Sequence, residues 1–293
     1  MNYREALIYF RDRSDYERGF VSNPFAGDEA AATGLRRTRL LLDQLGSPDR
    51  AYPIIHVAGT KGKGSTCAFI ESMTRHCGLR TGLFATPQLH SVRERTLIDA
   101  QPISEAQFAE TLGRVAAAVE QVERAHPEAG SLTAFEISTA QSLLAFAEAG
   151  VDLAVVEAGM GGRLDATNVI EKPAISVITP VSVDHTEYLG KDIAAIAGEK
   201  AGIMKKGVPC VIGPQSEEAM AVLSARALQL NTPVMRHGHE WHVETEGDKH
   251  IYKSDTLTLE LPRPALAGEH QWQNAATAVA VMDALAQQDI GLD

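Results

Sequence analysis

The sequence predicts an α/β protein: a mostly parallel β-sheet with helices on both faces and a small antiparallel β appendage toward its end. Three observations predict it. Short, continuous apolar runs alternate with longer helical stretches, as strands buried on both faces of a sheet do. A glycine-rich segment joins the first such run directly to a helix. Beyond about residue 233, apolar and polar residues begin to alternate, the pattern of half-exposed strands.

The elements follow in order. The opening MNYREALIYFRDRSD is charged and helix-like and has no apolar signal core. Pro53 to Ala58 is the first buried strand; it stops at Gly59, and a helix runs from about Ser65 to His76. Further strands are expected at Thr81 to Ala85, Val151 to Glu157, Ala174 to Thr179 and Val208 to Ile212, separated by helices such as Glu105 to Ala125 and Glu136 to Ala149. In the appendage, about 233–262, Trp241, Val243, Ile251, Tyr252, Leu257, Leu259 and Leu261 alternate with polar residues. A last helix follows around Gln273 to Gln287, within about 270–288. There is no internal repeat, and residues 1–293 read as one domain.

Composition narrows the function. At 293 residues and 44% hydrophobic content the chain can bury a real core. With 27 Lys and Arg against 38 Asp and Glu, the formal charge is -11 and no long basic run occurs, which argues against nucleic acid as a partner. A small anionic substrate is compatible, because a few lysines and a bound metal reverse the field locally. Cys67, Cys77 and Cys210 are odd in number and scattered, which suits a reduced compartment and core packing rather than disulfides or a metal cage. No stretch reaches the roughly 18 apolar residues of a membrane span, so a cytoplasmic protein is expected.

The segment HVAGTKGKGST, His56 to Thr66, sets Gly59, Gly62 and Gly64 around Lys61 and Lys63 between strand and helix. Glycines let backbone N–H groups approach phosphate oxygens, the helix N-terminus adds partial positive charge, lysine adds a full one, and a hydroxyl can ligate Mg²⁺. The spacing differs from Gly-x4-Gly-Lys-Ser/Thr, since Gly64 separates Lys63 from Ser65. A glycine-rich turn with solvated lysines is the plainer reading of such a cluster; the strand-to-helix context favours a phosphate cradle.

Two more strands end in polar clusters. Glu157 closes one strand before AGMGGRLDATN, where a Mg²⁺ ligand is expected at the carboxyl ends of parallel strands, although a solvated strand-exit glutamate is the simpler alternative. Asp184 and His185 follow another; a lone histidine is more often a satisfied core or surface group, so His185 counts by its position. Lys200, in AGEKAGI, reads from the residues alone as a lysine snorkelling from an apolar helix.

Taken together and in order, GTKGKGS at Gly59, FATPQL at Phe84, RER at Arg93, TAFEISTA at Thr133, VVEAGMGGRLDATN at Val155, VDHTEYLG at Val183, EKAGIMKKG at Glu199 and GEHQWQNAATA at Gly268 resemble the folylpolyglutamate synthase and dihydrofolate synthase family of Mur-type ATP-dependent amide ligases. The resemblance implies a P-loop-type sheet like the Mur ligase central domain, with ATP and Mg²⁺ as cofactors. It makes residues 59–66 (Gly59, Thr60, Lys61, Gly62, Lys63, Gly64, Ser65, Thr66) the triphosphate cradle. It also implies Ser65 on the first magnesium, Thr86 and His185 on the second, Glu157 bridging both, and Lys200 as a lysine that can be carried as a carbamate. Asn274 is implied at the adenine, and Thr86, Pro87, Gln88 and Phe135 at the pteridine-bearing substrate.

Two departures from the family pattern stand out. The usual Ser-Pro-His-Leu is Thr86-Pro87-Gln88-Leu89 here: the hydroxyl is kept and the histidine lost. Family members also continue into a second domain that closes over ATP and helps bind glutamate, so the resemblance implies a fragment or shortened protein, monomeric and poorly active alone, whose natural partner is that C-terminal domain. The implied reaction activates a folate or dihydropteroate carboxylate as an acyl phosphate, which the amine of L-glutamate then displaces. The alternatives are a cell-wall precursor ligase, against which GGRLDATN and TAFE weigh, and a nucleotide-binding module without catalysis.

Overall fold

The computed structural model describes residues 1–13, 28–183 and 192–288. Helices α1 (Tyr3–Asp12) and α2 (Asp28–Gln44) precede the central strand β1 (Ile54–Ala58), whose five residues are all buried. There follow α3 (Lys63–His76), β2 (Thr81–Phe84), the short strands β3 (Thr96–Ile98) and β4 (Gln101–Pro102), α4 (Glu105–Ala125) and α5 (Ala134–Ala149). Next come β5 (Leu153–Glu157), β6 (Ile175–Ile178), α6 (Ile193–Ala201), β7 (Cys210–Ile212), α7 (Glu217–Leu230) and β8 (Val234–Arg236). The chain goes on through β9 (Trp241–Glu246), β10 (Lys249–Ser254), β11 (Thr258–Leu261) and α8 (His270–Ala286).

Eight strands form one sheet in the order β4-β3-β2-β5-β1-β6-β7-β8. The six from β2 to β8 in that order run parallel, as their apolar sequences require; β3 and β4 turn back as an antiparallel edge. β8 is a correction to the sequence reading, which gave residues 233–262 entirely to the appendage. Val234 pairs with Cys210, so β8 closes the large sheet and only β9 to β11 make the separate antiparallel sheet.

Alternation along β1 splits the core. Ile54 faces one layer with α2, α4 and α5, where Leu41, Phe108, Leu112 and Ile137 are buried. Ile55 and Val57 face the other with α3 and α8, where Trp241 and Tyr252 of the small sheet are sealed beside Val279 and Val281. Helices carry their own start signals: Asn2 and Glu5, Ser104 and Gln107, and Thr133 and Glu136 each form a reciprocal capping box at the starts of α1, α4 and α5. Because β1 is central and its neighbours β5 and β6 lie on either side, three loops meet at its carboxyl end, the usual ligand crevice of an open parallel sheet.

Candidate active site at the carboxyl ends of the strands

The glycine loop fills that crevice. Gly62 takes φ 80° and immediately precedes α3, and a Cβ on it would come within 2.2 Å of Asn274 Oδ1, so glycine is required there. Among the described residues no side chain caps α3, which leaves the first amides of the helix, beginning at Lys63, aimed into the crevice with the positive end of the helix dipole. The amides of Thr60 and Lys61 are already committed, at 3.0 and 3.2 Å, to the carbonyl of Pro180 after β6. They anchor the loop, so neither amide is open to a ligand. Thr60 adds a second tie, donating to Ser182 O at 3.0 Å. Thr66, given to the cradle by the family pattern, is fully buried, and its amide closes the first helical turn onto Gly62 O.

Glu157 stands at the tip of β5, 3% exposed. Its Oε2 accepts the Thr86 amide at 3.0 Å and its Oε1 lies 3.9 Å from Lys63 Nζ. Burial pushes the carboxyl pKa up, against the lowering by the Thr86 amide and the Lys63 charge. Ser65 Oγ accepts from Gln271 Nε2 at 3.3 Å, while Gln271 Oε1 takes the Asn274 amide at 2.9 Å, so α8 reaches Ser65 through one buried amide that a second braces within the helix. Lys200, buried in α6, donates to Gly59 O at 2.8 Å behind the loop. His185, with Asp184, lies outside the described residues.

Beside Lys63 opens a cavity of about 440 Å³, whose lining includes Thr86, Pro87, Phe135 and Asp165. The Thr133–Glu136 capping box sets the first turn of α5 and with it Phe135, and Glu136 is itself held by Arg37 Nη2 at 2.8 Å. Gly159 lets the ring approach: a Cβ there would meet Phe135 at 2.5 Å. Gln88 does not line the cavity; it accepts from Arg95 Nε at 2.6 Å, and Arg95 forms part of the wall. The lost histidine is thus replaced by a residue that orients a guanidinium.

Asp165, Gln271 and Arg95 are the site residues that the sequence reading did not single out. Asp165 is buried, and its carboxylate accepts the Met160 amide at 2.9 Å and the Thr167 amide at 2.9 Å. Burial raises its pKa in spite of these donors. The signal was present in Asp-Ala-Thr: an aspartate two residues before a threonine amide that it caps, which starts the short 3₁₀ turn Ala166–Val169.

Comparison with known proteins agrees with this geometry. Residues 57–282 match the sequence profile of the Mur ligase middle domain. The chain is 41% identical over 273 residues to the dihydrofolate synthase/folylpolyglutamate synthase of Mycobacterium tuberculosis, covering 85% of this chain and 54% of that protein. A structure of M. tuberculosis folylpolyglutamate synthase complexed with ADP and AMPPCP superposes with a TM-score of 0.78 at 40% identity, covering 87% of this chain and 59% of that one. An FPGS–AMPPCP–folate complex superposes at 0.84 with 34% identity, over 98% of this chain and 68% of that one. The chain spans between about half and two thirds of the length of these relatives.

Proposed function

This chain belongs to the Mur ligase middle-domain family, in its folylpolyglutamate synthase and dihydrofolate synthase branch, and from that premise we propose that it is the ATP-binding part of a ligase joining L-glutamate to folate or dihydropteroate. One observation carries the reading: Lys63 opens the uncapped helix of the glycine loop and also lines the cavity that holds Phe135 and Asp165. A triphosphate on the loop and a carboxylate in the cavity would share one ammonium.

The chemistry follows from that shared position. A substrate carboxylate attacks the γ-phosphate of ATP in line, ADP leaves, and the amine of glutamate then displaces phosphate from the acyl phosphate. Both reactants of the first step are anions, so charge neutralisation and fixed geometry are what the site has to supply. Lys63 and the amides of residues 62–65 provide the first; the rigid tips of β1 and β5 provide the second. No protein nucleophile is needed. The cavity suits a pteridine: its volume is that of a small-molecule site, Phe135 offers an aromatic wall, and Asp165, braced by its own hydrogen bonds, forms a fixed part of the lining.

Mg²⁺ fits the donors present. Glu157 is a buried carboxylate whose pKa is raised by burial and whose lysine partner stands 3.9 Å away, an anion only partly compensated, and carboxylate and hydroxyl oxygens are the hard donors this ion takes. Ser65, Thr86 and Glu157 would hold it, with His185 the expected further ligand, and the ion would supply neutralisation of phosphate charge. Lys200, behind Gly59, is the candidate carbamate.

The test is calorimetric titration of the chain with Mg-AMPPCP and then with dihydropteroate, followed by measurement of phosphate release from ATP when dihydropteroate or folate and glutamate are added. Binding of both ligands together is expected. A chain that binds neither nucleotide nor pteroate would overturn the proposal.

A further inference from the structure

Behind Asp165 of the cavity wall lie two buried side chains, Thr167 and His56, that the ligase chemistry does not use. His56, in the middle of β1, is fully buried, and its Nε2 stands 2.8 Å from Thr167 Oγ1. Thr167 Oγ1 in turn donates to Asp165 Oδ1 at 2.5 Å. His56 Nδ1 has no hydrogen-bond partner among the described residues. A core strand position filled by a ring that makes one hydrogen bond and leaves its other nitrogen orphaned costs stability, and such departures from simple packing cluster at functional sites.

The donors can be assigned. An ionised carboxylate only accepts, and Asp165 receives amides from Met160, Gly159 and Thr167 besides the hydroxyl. The hydroxyl hydrogen of Thr167 therefore points at Asp165, its oxygen must accept from the ring, and His56 carries its hydrogen on Nε2. Burial and the nearby Lys205 charge hold the ring pKa down at about 3, so the ring is neutral near pH 7.

We propose that His56 is a positioning residue for Asp165. Through Thr167 it holds Asp165 Oδ1 while the Met160 amide holds Oδ2, so the carboxylate and the cavity wall built on it are fixed in one orientation, and His56 governs affinity for the pteridine-bearing substrate while leaving nucleotide binding alone. This inference rests on the reading of the cavity given above. β1 thus serves both substrates: its carboxyl end runs into the phosphate loop, and its middle braces the ring site.

The test uses the whole chain and two probes, dihydropteroate and Mg-AMPPCP. Thr167→Val should weaken dihydropteroate binding by roughly ten- to a hundredfold, the range expected for a lost hydrogen bond to a charged group, with Mg-AMPPCP affinity kept within about twofold. Thr167→Ser should restore it. His56→Leu should weaken dihydropteroate alone, and His56→Gln, which keeps a donor, should recover most of the loss. Nitrogen-15 NMR of the unsubstituted chain reads the relay without any variant: His56 should be the neutral Nε2–H tautomer at pH 7. The Nδ1–H tautomer, or a Thr167→Val chain that binds dihydropteroate as well as the parent, would overturn the positioning role and leave the ligase reading intact. A parent chain that binds Mg-AMPPCP but no dihydropteroate would instead overturn the cavity assignment, and the role of His56 with it.

Discussion

Lys63 is where the two halves of the site touch, and its contribution can be isolated. Its side chain is 19% exposed and stands 3.9 Å from the buried Glu157, so Lys63→Ala should lower Mg-AMPPCP affinity on the order of a hundredfold while costing about 1 kcal/mol of unfolding free energy. Calorimetry and urea denaturation on the same preparation check both. His56 makes the opposite kind of prediction, about stability. Its folded pKa is lowered to about 3 from 6.5, so between those values the unfolded chain binds the extra proton, and its contribution, complete above pH 6.5, is lost as pH falls at up to about 1.4 kcal/mol per unit. Asp165, Glu136 and Glu157, raised by burial, act with the opposite sign, so the readout is the difference in acid-side slope between the parent and His56→Gln, which should be the flatter of the two. At this scale the sequence was legible where chemistry is written locally. Three glycines and two lysines at a strand-to-helix switch need no tertiary information, and they lie between β1 and α3 as expected. Asp165 was not legible, because its role comes from burial and from a partner 109 residues away, His56, that no local spacing reveals.

Elements were readable to the extent that burial was one-sided or complete. The continuous apolar runs at β1, β2, β5, β6 and β7 gave the parallel sheet, while the Thr133–Glu136 capping box starts α5 at Ala134, two residues before the expected Glu136. β3 and β4 are three and two residues long and carry no period to detect. β8 was assigned to the wrong sheet because Val-Met-Arg at a sheet edge is half-exposed, as an appendage strand is. Beyond its apolar packing, the small sheet is tied to α8 through Asp283, which is buried and accepts hydroxyls from Tyr252 at 2.9 Å, Ser254 at 2.6 Å and Thr256 at 2.6 Å. Asp283→Ala leaves the buried Tyr252 hydroxyl without its acceptor and should cost about 2–4 kcal/mol. Hydrogen exchange should then speed up first at the amides of β9 to β11, with those of β1 protected as before; uniform loss of protection would show that the small sheet and the large one unfold as a unit.

For the whole molecule, an acidic protein with a formal charge of -11 binds a polyanion only by concentrating positive groups at one place. Mg-AMPPCP at about a hundred times its dissociation constant should therefore stabilise the fold by about 2.7 kcal/mol, and a chelator that removes the metal should abolish most of that rise in melting temperature. A nucleotide shift insensitive to chelation would remove Glu157 and Ser65 from the metal assignment.

The central place of β1 also sets a timetable for the newly made chain. Its partners arrive 100 and 120 residues later, Ala154 for Ile54 and Ile175 for Ile55. Until both flanking strands have docked, no frame exists to hold the phosphate loop, and pairing across such separations is slow. Fluorescent-nucleotide binding followed during refolding should accordingly appear with the last kinetic phase, after the bulk of the helix signal. A half-made chain would carry the right glycines and lysines and still be blind to ATP.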